Sequence, residues 1–111
     1  MEEIVFYEYF INLKKCFIGK SRCVGTKLRD GVYQTKFYDD TTGKYKGNSR
    51  LVNLDEFEQV QTFRVFSFKD NTEYYHQMLL NEYALMIENG RERLKKQENF
   101  LDKLRKMGFS S

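Results

Sequence analysis

Apolar and polar positions at the start of the chain fit two periods at once. In "EEIVFYEYFINLKKCF", residues 2–17, strand alternation puts Ile4, Phe6 and Phe10 on one side and Val5, Tyr7, Tyr9 and Ile11 on the other. The same letters place Phe6, Phe10, Leu13 and Phe17 at i, i+4, i+7 and i+11, the apolar stripe of a helix. Aromatic and β-branched enrichment favours a strand over residues 3–11. "CFIGKSRCVG" then reads as a second extended segment, interrupted by Gly19 and Gly25. "LRDG", residues 28–31, predicts a turn, because Asp30-Gly31 supplies the positive φ of a tight connection. Residues 32–38 read as a third strand.

"KFYDDTTGKYKGNSR", residues 36–50, has the pattern of a hairpin. Gly43 stands where a type I turn plus bulge needs a left-handed residue. Pairing Asp40 with Lys44 sets Tyr38 against Lys46. Alternation then gathers Lys36, Tyr38, Lys44, Lys46 and Arg50 on one face, with Val32, Gln34 and Asn48. Tyr33, Thr35, Phe37, Tyr45 and Leu51 fall on the opposite, core side. A slip of one residue would exchange the faces.

Farther along, Asn53 and Glu56 have capping-box spacing and predict a short helical turn over 54–60. "TFRVFSF", residues 62–68, is apolar on both sides, as a central or helix-covered strand would be. Asp70 with Glu73 forms a second capping box that opens a helix. Leu79, Tyr83, Met86, Leu94, Leu101 and Leu104 trace its apolar stripe. Gly90 falls on that stripe, so the helix either runs through it or breaks there, and Gly108 ends it. The expected fold is α+β, one domain over 1–111. A small antiparallel sheet takes residues 3–68, and a long C-terminal helix, intact or broken, takes 71–107. Residues 1–69 form the sheet-rich part and 70–111 the helical part.

Composition narrows this picture. A chain of 111 residues is one domain, with no room for the core of another. Aromatic residues make up 16%, from ten Phe and eight Tyr, enough to exclude full disorder. The longest apolar run, Ile4 to Tyr7, is far short of the roughly 20 residues of a membrane span. Met1-Glu2-Glu3 is acidic where a secretory signal is basic, which points to the cytoplasm and to free thiols at Cys16 and Cys23. The two cysteines match no zinc pattern.

Charge is blocked along the chain. Residues 14–50 hold ten Lys and Arg against three Asp, a net +7, whereas residues 51–90 carry a net −5. Gathered on one side of the fold, the basic block would focus a field on a polyanion.

Candidate chemistry is sparse. His76 is the lone histidine, next to Tyr75 and Gln77, with no partner base or acid in sequence. No serine has a G-x-S-x-G frame. "GKSR", residues 19–22, lacks the upstream glycine of a phosphate loop, since Lys14 stands there. Asp39 and Asp40 read as turn residues, with no further carboxylate to complete a calcium loop. Asp55, Glu56 and Glu58 read as a solvated or capping group. No catalytic residue, metal site or cofactor is expected, and the chain reads as a non-enzymatic binding protein.

The leading expectation is nucleic-acid binding through Lys36, Tyr38, Lys44, Lys46 and Arg50, cations for phosphate around a ring for stacking. The plainer reading is that outer strand faces carry lysine for solubility and to block edge pairing. "DGVYQTKFYDDTTGKYKG", within residues 29–52, resembles in rhythm the small three-stranded DNA-binding sheets of phage and transposon integrases. That resemblance implies a DNA-binding sheet and lends no individual residue a role. Short length, the lack of a cofactor motif and a Lys/Asn/Tyr/Phe-rich composition suit a phage or mobile-element accessory protein. The alternative is an inhibitor, adaptor or assembly component. It would act through the C-terminal helix, with Leu94, Leu101 and Leu104 also forming a homodimer seam.

Overall fold

The structure is a computed structural model that describes residues 2–89 and, beyond them, 100, 102, 103 and 106. It contains β1 (Glu3–Asn12), β2 (Phe17–Arg29), β3 (Val32–Asp39), β4 (Tyr45–Asn53), a 3₁₀ turn (Leu54–Glu56), β5 (Arg64–Ser67) and α1 (Thr72–Asn89). The five strands form one sheet in the order β4-β3-β2-β1-β5, and every pairing is antiparallel. The expected α+β architecture, an antiparallel sheet followed by a C-terminal helix, is the one observed.

β1 is a strand because both of its sides are used. It pairs with β2 from Glu3↔Thr26 to Asn12↔Phe17 and with β5 from Tyr7↔Ser67 to Phe10↔Arg64. Its alternation feeds two cores. Tyr9 and Ile11 face α1 and pack with Val65, Tyr75, Leu79, Leu80, Tyr83 and Ile87. Phe6 points to the other side and packs with Cys23, Phe37, Val52 and Phe66. The helix stripe that does the burying is therefore Tyr75, Leu79, Leu80, Tyr83 and Ile87, while Met86 is only partly buried.

Among the described residues no helix covers the second core. β4 and β5 lie at opposite edges, so residues 54–63 must cross between them. The crossing begins where the Leu54 N–H donates to the Gly31 carbonyl at 2.9 Å. Phe57 then packs on Phe6 and Phe68, with ring centroids 4.8 and 4.7 Å away. Residues 62–68 are thus covered on both sides, as their pattern predicts, but β5 is an edge strand of four residues. The helical turn expected over 54–60 is only Leu54–Glu56, held by the Asn53 N–H donating to Glu56 Oε2 at 2.8 Å.

The start of α1 differs from expectation in one residue. Asn71, not Asp70, accepts from the Tyr74 N–H, at 3.4 Å. Asp70 instead pairs with the Lys20 ammonium and ties the helix start to β2. A buried polar network completes the junction. The Glu58 carboxylate accepts from the Ser67 hydroxyl and from the Tyr75 hydroxyl, the latter at 2.7 Å. Ser67 Oγ accepts from the Lys69 N–H at 3.0 Å. Tyr9 Oη donates to the Lys69 carbonyl at 2.7 Å and accepts from the Asn71 N–H at 3.0 Å. Ser67 and Tyr75 are 0% and 1% exposed, and every buried side-chain N and O among the described residues has a partner.

Phe100 is also buried, 5.5 Å between centroids from Tyr83. One continuous helix would place these two about 25 Å apart along its axis, at 1.5 Å per residue. The chain therefore comes back onto its own core after α1, and a single straight rod to residue 107 is excluded. Leu94, Leu101 and Leu104, the proposed association seam, lie outside the described residues. No described helix is long and apolar enough to cross a membrane.

Candidate nucleic-acid interface

The β3–β4 hairpin decides which side chains share a face. Asp39 organises its turn: Oδ1 accepts from the Thr41 and Thr42 N–H groups at 2.8 and 3.0 Å, and its carbonyl accepts from Gly43 N–H at 2.8 Å. The Thr42 and Thr41 N–H bonds hold the Asp39 carboxyl below its ordinary pKa. Gly43 has the expected left-handed backbone, at φ +75°. The register, however, is Tyr38↔Tyr45, one residue away from the expected Tyr38–Lys46 pairing.

A second irregularity follows. Between the Tyr38↔Tyr45 and Lys36↔Ser49 pairs, Phe37 alone faces Lys46, Gly47 and Asn48, and Gly47 takes φ +80°. The one-residue slip parts the five expected residues, and the bulge, two extra residues long, moves the pairing along without changing the face. Lys36 and Tyr38 lie on the face shared with Tyr45, Ser49 and Leu51. Lys46 and Arg50 lie on the opposite face, with Phe37 and Thr35. Lys44 is exposed at the turn. Tyr33, Thr35 and Phe37 are buried as expected, whereas Tyr45 and Leu51, expected in the core, are 49% and 46% exposed.

On the first face the registers line up a transverse row. Tyr7 on β1 is opposite Arg22 on β2, Arg22 is opposite Tyr38 on β3, and Tyr38 is opposite Tyr45 on β4. Adjacent members are about 4.8 Å apart along the hydrogen-bonding direction of a sheet. The Arg22 guanidinium lies 4.9 Å from the Tyr38 ring centroid, and the Tyr38 and Tyr45 rings are 5.5 Å apart at 48°. Val5, Val24, Lys36 and Ser49 form the next row, and Lys36 Nζ is 6.0 Å from the Tyr45 ring. α1 packs on this same face over β1 and β5, where Tyr7 borders its core, and leaves the β2–β4 part of the face uncovered, with Val5 and Tyr45 about half exposed. Lys20 borders the row 4.7 Å from the Tyr7 ring, but its ammonium is committed to Asp70 and, at 3.7 Å, to Asp40.

The opposite face holds a concave cluster. Lys46 Nζ donates to Ser21 Oγ at 2.7 Å and lies 4.6 Å from the Phe10 ring centroid. Arg50 reaches Glu56 at 3.2 Å and lies 5.1 Å from the Phe66 ring. Arg64 Nε is 3.3 Å from Glu8 Oε2. Burial pushes the Glu8 carboxyl up, against the pull of Arg64, Lys46, Arg50 and Ser21.

His76 is on the sheet-facing side of α1, with Nε2 3.0 Å from the Gly19 carbonyl and its ring edge-on to Tyr9. Burial lowers its pKa, the Gly19 bond opposes that shift, and Lys20 adds to it. Cys16 and Cys23 are both free thiols, and they belong to different cores. Among the described residues no three of His, Cys, Asp and Glu converge as a metal site.

The sequence places Lys36 and Tyr38 on one face, as the structure does, but does not show Tyr7 and Tyr45 beside them, because that juxtaposition needs the registers of three strand pairs. The integrase-like rhythm of residues 29–52 resolves into the β3–β4 hairpin at one edge of a five-stranded sheet, not a three-stranded one. No protein family, curated protein or solved structure matches the chain.

Proposed function

We propose that this chain is a non-enzymatic protein that binds single-stranded nucleic acid across the sheet face left open by α1. The observation that carries the reading is the transverse row Tyr7–Arg22–Tyr38–Tyr45, three rings and a guanidinium held directly opposite one another. The exposed Tyr45 ring and the part-exposed Tyr7 and Tyr38 rings, at strand spacing, offer stacking platforms for successive bases, and stacking is tolerant of sequence because every base has a π-face. Arg22 and Lys36 sit among the rings to meet phosphates, with Lys44 at the end of the hairpin. A duplex keeps its bases stacked on each other, so the row favours single strands.

The test is fluorescence anisotropy with a labelled ten-nucleotide single strand and its duplex. The single strand should bind more tightly, and Tyr38→Ala should weaken it roughly 5- to 100-fold, the equivalent of about 1–3 kcal/mol for one stacked base. Arg22→Ala and Lys36→Ala should each flatten the salt slope by about 0.7. A duplex bound as well as the single strand, with Tyr38→Ala indistinguishable from wild type, would remove this reading.

A further inference from the structure

The underside of the sheet carries a cleft of about 430 Å³ between the β1–β2 turn, β4 and the start of β5. Its size lies within the range of small-molecule sites. Lys14, Lys46, Arg50 and Arg64 line it, with Glu8 as its carboxylate, and Glu56 meets Arg50 just beyond. Four cations against two carboxylates leave an excess of two positive charges in a concave, partly apolar enclosure, where field lines concentrate. The Lys46 ammonium has three donors, and its hydrogen bond within the protein goes to the neutral Ser21 hydroxyl. The rest of the lining mixes Asn12, Asn48 and Thr62 with apolar side chains that include Phe10 and Phe63.

We propose that this cleft binds a phosphate monoester carried on a planar ring, of the mononucleotide class, at a site separate from the row on the opposite face. A phosphate monoester carries about −1.5 to −2 charges at pH 7 and three strong acceptor oxygens, which matches the charge excess and the unused Lys46 donors. The phosphate meets Lys46, Arg50 and Lys14, and the ring lies along Phe10 and Phe63. Glu8 stands opposite in sign to the ligand. It holds Arg64 in place and keeps the unliganded cations from repelling one another.

Calorimetric titration with adenosine 5′-monophosphate, adenosine and inorganic phosphate tests this. The monophosphate should saturate the protein at one equivalent, with adenosine and phosphate each at least about tenfold weaker. Lys46→Met, which keeps the stem over Phe10, should weaken the monophosphate about tenfold. Glu8→Gln, nearly isosteric and neutral, should tighten it several-fold, an effect that loss of structure could not mimic. Tyr38→Ala should bind the monophosphate as wild type does, which separates this site from the strand-binding face. The proposal is overturned by failure to saturate, by phosphate binding as well as the monophosphate, or by Lys46→Met or Glu8→Gln matching wild type. Loss of binding in Tyr38→Ala would place the nucleotide on the other face and overturn it equally.

Discussion

Removing one oxygen atom, in Tyr75→Phe, should cost about 2 kcal/mol of folding stability. The Tyr75 side chain is 1% exposed, and its ring stacks on Tyr9 with centroids 4.7 Å apart. Phenylalanine keeps that stack and leaves no cavity larger than the lost hydroxyl, so the burial contribution is nearly unchanged. What disappears is the donor to Glu58 Oε1 at 2.7 Å and the contact with Ser67 Oγ at 2.7 Å. Hydrogen bonds to charged groups contribute about 1.5–3 kcal/mol. Glu58 keeps the Ser67 hydroxyl, which holds the expectation to the middle of that range. At about 4–6 °C per kcal/mol for a domain of this size, Tm should fall by about 8–12 °C. Urea denaturation should show a lower midpoint with an unchanged slope, since the surface exposed on unfolding is the same. In a double-mutant cycle with Glu58→Gln, the two losses should be non-additive by about 1 kcal/mol or more. A Tyr75→Phe protein within about 0.5 kcal/mol of wild type would mean that the Glu58–Ser67–Tyr75 network does not secure α1 to the sheet.

Two further outcomes follow from burial. His76 has its pKa lowered below 6.5 by burial, so its stabilising contribution is complete above 6.5 and is lost as pH falls toward the lowered value. The stability difference between wild type and His76→Gln should therefore shrink or reverse between about pH 7.5 and 5.5. The raised Glu8 acts in the opposite sense but is common to both proteins and cancels; a pH-independent difference would refute the assignment. In the native protein a thiol reagent at about pH 8 should modify Cys16 readily and Cys23 only on unfolding. Cys16 is part-exposed, whereas Cys23 is fully buried with its thiol pushed far up by that burial. Two fast-reacting thiols in the folded state would contradict the second core.

Strands β1 to β3, the Asp30-Gly31 turn and the left-handed Gly43 were all legible, because each rests on local chemistry: alternation, β-branching, or a positive φ. The basic face was not, and the reason lies at the turn. Asp39 rather than Asp40 closes the hairpin, which shifts β4 by one position, and in a strand an odd displacement changes the face. Gly47 adds a bulge in which three residues of β4 share Phe37, and those two extra residues move the pairing along without changing the face. Gly47 in "KYKGNSR" was the available signal for that bulge, since an isolated glycine inside a strand pattern often marks one. The row through Tyr7, Arg22, Tyr38 and Tyr45 lay deeper. Its members are separated by 7 to 16 positions and meet only when three registers are known together. At Asp70, a good capping residue was outcompeted because Lys20 offered it an ion pair and Asn71 supplied the cap one position later.

The central claim is that single strands meet the open face of the sheet, and a chemical-shift footprint tests it most directly. Backbone and side-chain spectra of the ¹⁵N-labelled protein would be recorded with increasing amounts of a short unlabelled single strand. The account predicts that the largest perturbations fall on Tyr7, Arg22, Val24, Lys36, Tyr38 and Tyr45, with little change at Phe57 or along α1. Perturbations concentrated on Lys46, Arg50 and Arg64, or none at saturating strand, would contradict it.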